Sequence, residues 1–172
     1  MLNADINIGK ACNNRCRFCS NENPTPAERR WARPEQVREE IELNWKKGAR
    51  SIGFLGGEPC LYPNLERVIA HARQIGYERI SICTNGQLLA DRKLLDRLVG
   101  AGLTRVAVSI HSHSARLEDY ITRRPGSFRA KIDALKNLVR ARDTAQLPDG
   151  LSLNTVLHGK NVESLREFAL YM

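Results

Sequence analysis

Apolar positions along the chain follow two alternating rhythms: short runs with strand character, and longer stretches that repeat on one helical face. Asp5 to Ile8 alternates polar and apolar residues and predicts a first strand. After a polar, proline-containing connection from Asn21 to Arg33, Pro34 suits a first helical position, and Val37, Ile41 and Trp45 share one face until Gly48. The same order then recurs. Ser51 to Leu55 predicts a buried second strand, and Asn64 a capped helix with Leu65, Val68, Ile69 and Ala72 inward, stopped at Gly76. Arg79 to Cys83 predicts the third strand, followed by a helix capped by Asp91 that carries Leu94, Leu95, Leu98 and Val99 before Gly102. Arg105 to Ile110 predicts the fourth, running into His111 and a long loop. Ser127 then opens a helix with Phe128, Ile132, Leu135, Leu138 and Val139 inward. Leu151 to Leu157 predicts a fifth strand, and Asn161 caps a last helix through Leu165 and Phe168.

Strands alternating with helices at this spacing imply parallel pairing through right-handed crossovers, hence an α/β fold that is either a barrel or a doubly wound sheet. Polar residues recur at the carboxyl ends of the strands, where such folds place their chemistry. At 172 residues the chain suits one domain. No basic-then-apolar leader opens it and no apolar run approaches the roughly 20 residues that cross a bilayer, so a cytoplasmic protein without membrane contact is expected.

Charge and cysteine content change this picture in one respect each. The net charge of +8, from 27 Lys and Arg against 19 Asp and Glu, suits an anionic partner, but the arginines are scattered and a solvated face explains them. The five cysteines are unevenly placed. Cys12, Cys16 and Cys19 stand in the stretch Lys10 to Ser20 as C-x-x-x-C-x-x-C, with Phe18 before the last. Three thiolates on one loop can share a single iron-sulfur cube and leave one iron without a protein ligand. The alternative is structural zinc, which wants four ligands and would have to recruit Cys60, Cys83 or His111 from other strands. Cys60 and Cys83 read as packing residues, and Trp31 and Trp45 likewise.

The cysteine spacing with its aromatic, followed at the second strand's end by Gly56-Gly57-Glu58-Pro59, resembles the radical S-adenosylmethionine superfamily. The resemblance implies a partial TIM-type parallel β/α barrel of about six strand-helix units, five of them in this chain. It implies a [4Fe-4S] cluster with Cys12, Cys16 and Cys19 as metal ligands, and S-adenosylmethionine chelated to the open iron. Glu58 and the Gly56-Gly57-Pro59 turn would then receive the methionyl ammonium, and Phe18 would pack near the adenine. Asn85, in Thr84-Asn85-Gly86, is a turn residue that can also reach cofactor or substrate.

Ser109 and His111 share a face of the fourth strand, as Asn154 and Val156 do of the fifth, and the resemblance gives these four the nucleoside or carboxylate of the cofactor. Arg123 and Arg124 read as surface arginines that could also reach that carboxylate. The implied activity is reductive cleavage of S-adenosylmethionine to a 5′-deoxyadenosyl radical that takes hydrogen from substrate, with electrons from a donor such as flavodoxin or ferredoxin. The strand-end motifs GGEP, TNG and SIHS resemble peptide-maturing members, so a peptide or protein substrate is expected; tRNA modification or cofactor biosynthesis is the alternative. A non-enzymatic electron carrier or zinc-dependent binding module is the reading from another class. Because Met172 follows the fifth helix without a capping signal, the rest of the barrel is expected from further sequence or another chain.

Overall fold

The computed structural model describes residues 2–21 and 24–172; Glu22 and Asn23, inside the expected polar connection, lie outside the described residues. Five strands, β1 (Leu2–Asn7), β2 (Ala49–Leu55), β3 (Arg79–Thr84), β4 (Arg105–Ser109) and β5 (Leu151–Asn154), form one sheet in sequential order, all parallel. Sequential order decides between the two architectures. A doubly wound sheet reverses direction at a switch point, whereas a barrel adds each strand beside the last, as here.

The helices α1 (Pro34–Lys46), α2 (Leu65–Ile75), α3 (Arg92–Ala101) and α5 (Ser127–Asp143) return the chain between strands, and α6 (Leu165–Tyr171) follows β5. Outward-pointing Ile6, Ile52, Phe54, Ile80, Ile82, Val106 and Val108 are buried in the common core with the helices' apolar faces. Inward-pointing positions are different in kind. Asn3, Asp5, Ser81, Cys83, Ala107 and Ser109 are small or polar and partly or fully exposed, so the concave side is not packed with bulky apolar side chains. Gly53 lies between Asp5 and Ser81 in the register, where a Cβ would lie 2.6 Å from the Asp5 carboxylate, an exposed group free to move aside.

Local signals for α2 and α3 are met: Leu65, Val68, Ile69 and Ala72 are buried in one, Leu95 and Leu98 in the other, and Asp91 caps α3 by accepting from Lys93 N at 2.9 Å. Asn64 precedes α2 without a side-chain cap. Trp45 packs on Tyr77 and carries the Arg50 guanidinium on its face, and Trp31 packs on Tyr62.

Three expectations need correction. The loop after His111 contains a helix, α4 (Ala115–Thr122), whose buried residues are Glu118, Ile121 and Thr122. Of the expected Phe128, Ile132, Leu135, Leu138 and Val139, Leu138 is buried and Leu135 packs partly buried against the core, but the inward face of α5 is rotated to Lys131, Ala134, Leu138 and Ala141, and Val139 is exposed. The reason is Lys131: its ammonium is neutralised by Glu118 of α4, which makes a lysine tolerable where an apolar residue was expected. Finally, β5 ends at Asn154, three residues early. Beyond it the chain is held by side chains: Thr155 donates to Ile110 O at 2.7 Å and Val156 N to His111 Nδ1 at 3.2 Å. Asn161, expected as a cap, donates instead to His111 O and Val156 O.

Candidate functional site

The cysteine loop leaves the carboxyl end of β1 and is gripped from two sides. On one side Gly57 N donates to Gly9 O and Glu58 N to Ala11 O, both at 2.8 Å, laying the loop backbone against the turn after β2. This approach is why the turn is Gly-Gly. A Cβ on Gly56 would sit 2.6 Å from Gly9 O; one on Gly57 would sit 2.6 Å from Lys10 O and closer still to Ala11 O. The glycines were expected to admit a ligand; in the structure they admit the loop itself. On the other side Arg15 N and Arg17 N donate to Thr122 O and Ile121 O at 3.1 and 3.0 Å, so the end of α4 forms the second jaw.

Between these jaws lies a cavity of about 340 Å³. Cys12, Cys16, Cys19, Phe18, Gly56, Gly57, Asn85, Ser109, His111, Asn154 and Val156, from five separate segments, all line it. The three thiols therefore face one space. Among the described residues no three His, Cys, Asp or Glu side chains converge as a single ion would require. A four-iron cube takes each thiolate at a separate corner, whereas structural zinc takes four ligands meeting at one point.

Burial raises the Cys12 thiol and pushes Cys16 up to about 11, the latter offset in part by Lys131. Asn14 N donates to Cys12 Sγ at 3.3 Å, the kind of donor a metal-bound thiolate uses. Asn85 acts both as turn residue and as brace: Oδ1 accepts from Gln87 N at 3.1 Å, and Nδ2 donates to Asn13 Oδ1 at 2.7 Å, tying β3 to the cysteine loop. The positive φ of that turn belongs to Gly86.

Glu58 and Pro59 are buried behind the cavity and do not line it. The Glu58 carboxylate accepts from Thr84 Oγ1 and Cys60 N through Oε1, and from Asn85 N through Oε2 at 2.7 Å. It was expected to face a cation; it bolts the ends of β2 and β3 together instead, with burial raising its pKa despite those donors. Phe18 meets His111 edge-on, ring centroids 4.6 Å apart. His111 is held neutral, its pKa lowered to about 3 by burial and then by Lys131 and His158, and Nδ1 already accepts from Val156 N.

Arg123 and Arg124 are exposed, and neither lines the cavity. Arg123 closes α4 in the left-handed region at φ 50. Sequence reasoning missed Lys131, Cys83 and Thr84, which also line the cavity. Cys83, taken as packing, accepts from Asn154 Nδ2 at 3.4 Å. The signal for it was available: it alternates with Ser81 on the inward face of β3.

A family model described as the Radical SAM superfamily matches residues 6–172. Among curated proteins, "Probable GTP 3',8-cyclase" of Sulfolobus acidocaldarius is 28% identical over 163 residues, covering 95% of this chain and 49% of that protein. "Molybdenum cofactor biosynthesis protein 1" of Bos taurus is 28% identical over 166 residues, 95% of this chain and 25% of that protein. The chain thus spans about half the length, or less, of these relatives. Among solved structures, SuiB of Streptococcus suis bound to S-adenosylmethionine superposes with a TM-score of 0.74 at 20% identity, covering 99% of this chain and 37% of that one. At that identity the likeness is one of fold. The expected preference for a peptide is not supported by the curated relatives, whose names point to cofactor biosynthesis instead.

Proposed function

The chain belongs to the radical SAM superfamily, and from that premise we propose that it reductively cleaves S-adenosylmethionine to act on a small cofactor precursor, a purine nucleotide such as GTP being the first candidate. The observation that carries this reading is the single cavity onto which Cys12, Cys16 and Cys19, the Gly56-Gly57 backbone, Ser109 and Asn154 all open. The donor set fits a [4Fe-4S] cluster: three thiols of one loop, with no carboxylate among the described lining residues to compete for iron. When bound, the cluster and S-adenosylmethionine supply one electron to a carbon–sulfur bond and, from its cleavage, a carbon radical able to take hydrogen from substrate.

This chain's residues bind and orient. Cys12, Cys16 and Cys19 hold the cluster. The Gly56 and Gly57 backbone presents polar atoms to the amino-acid part of the cofactor, with Glu58 fixing that backbone from behind. Ser109 and Asn154 offer hydrogen bonds to a ribose, while Phe18 and Val156 offer apolar surface to a base. The curated relatives named for GTP cyclisation and molybdenum cofactor synthesis favour a nucleotide over a peptide.

The test is anaerobic reconstitution with iron and sulfide, then reduction with dithionite in the presence of S-adenosylmethionine, with and without GTP. Release of 5′-deoxyadenosine, accelerated by GTP, is expected. A colourless protein with stoichiometric zinc overturns the enzyme reading; release indifferent to GTP overturns the substrate.

A further inference from the structure

The floor of the cavity holds a charge pair that the proposed function leaves unused. Lys131 of α5 and Glu118 of α4 meet at 2.6 Å with side chains 1% and 0% exposed. Each has a second partner at the end of β4: Lys131 Nζ donates to Ser109 O at 2.7 Å, and Glu118 Oε2 accepts from His111 N at 2.8 Å. Stability is a weak reason for such a pair, because removing two charges from water cancels much of their attraction.

Its orientation is the informative part. Lys131 lines the cavity together with Cys16, and Glu118 does not. Among the described lining residues Lys131 is the only lysine or arginine, and there is no aspartate or glutamate. Two of its three ammonium protons have partners among the described residues. The pair is therefore a fixed dipole with its positive end toward the thiols.

We propose that Lys131, held in place by Glu118, is a positioning residue for charge, raising the reduction potential of the cluster that Cys12, Cys16 and Cys19 hold. This rests on the cluster reading above. One electron from an external donor makes the cube one unit more negative; nothing else is transferred. A buried cation at short range stabilises the more negative state because the surroundings screen it poorly, and cluster potentials follow local charge and hydrogen bonding. Glu118, on the far side, attenuates that effect while keeping Lys131 from facing its desolvation alone.

The test is a redox titration of the reconstituted chain with dithionite and mediator dyes, followed by electron paramagnetic resonance, with iron and sulfide counted in each sample. Lys131→Met alone strands a buried carboxylate and risks the fold, so the deciding variants are Glu118→Gln and the double Lys131→Met/Glu118→Gln, which removes both charges at nearly constant shape. The midpoint is expected to rise in Glu118→Gln and to fall below wild type in the double variant, cluster content unchanged in both. Opposite shifts are what a merely structural role would not give. Midpoints unmoved, moved in the same direction, or lost together with the iron in both variants overturn the proposal. Failure of the wild-type chain to take up iron would overturn the cluster reading itself, whereas an intact cube with unmoved potentials overturns only this inference.

Discussion

The two walls of the cavity are assembled by different physics. The wall carrying the cysteines is backbone laid on backbone: Gly57 N to Gly9 O, Glu58 N to Ala11 O, and Lys10 N to Arg30 O. The wall at the ends of β4 and β5 is wired through side chains, with Glu118, Lys131, Asn161 and His111 each reaching a main-chain atom of another segment or being reached by one. Backbone contact demands that side chains be absent, which leaves glycines in the sequence. Side-chain wiring demands partners far apart in the chain, which leaves no local mark.

The sharpest way to break the comparison is Gly57→Ala. Its methyl would press on Lys10 O and Ala11 O, so the cysteine loop must lift, at a cost of about 3 kcal/mol. Urea denaturation should register that loss, and iron uptake on reconstitution should fall steeply; an alanine variant that binds iron normally would show that backbone contact does not hold the loop. The second wall should respond to acid. The folded-state pKa of His111 lies below its ordinary value, so the unfolded chain binds the proton first. The contribution is complete above about 6.5 and lost as pH falls toward about 3. Urea midpoints measured across that window should decline less in His111→Gln than in wild type. The smallest effect belongs to the corner where α4 meets α5. Asp119 accepts from Gly126 N and Phe128 N at 2.7 and 2.9 Å, and Asp119→Ala should cost about 1 kcal/mol. That would lower Tm by about 3 °C in a chain of this size, with iron uptake unchanged.

The same contrast explains what could be read without a structure. The strands were legible as short apolar runs and the inward faces of α2 and α3 as bulky apolar residues at helical spacing, and the cysteine loop with Gly56-Gly57 because its chemistry is local in sequence. α4 was not legible. Its buried face is Glu118, Ile121 and Thr122, so no apolar stripe announces it. The face of α5 was misread for the same reason, since Lys131 and two alanines occupy positions where leucine or isoleucine would have given the phase away. Glu58 was read as offering its carboxylate to a cation because it follows two glycines in a motif that resembles the family's. Only the register of β2 against β3 shows that Thr84 and Asn85 reach it first.

The concave side of the sheet is lined by small and polar side chains. The strand residues that hold the fold point outward to the helices, and those that point inward, such as Ser81, Cys83 and Ala107, contribute little to the packing. Architecture and selectivity thus occupy opposite faces of the same strands. A lineage could refit the concave side to a new guest, residue by residue, while its scaffold continued to fold as before.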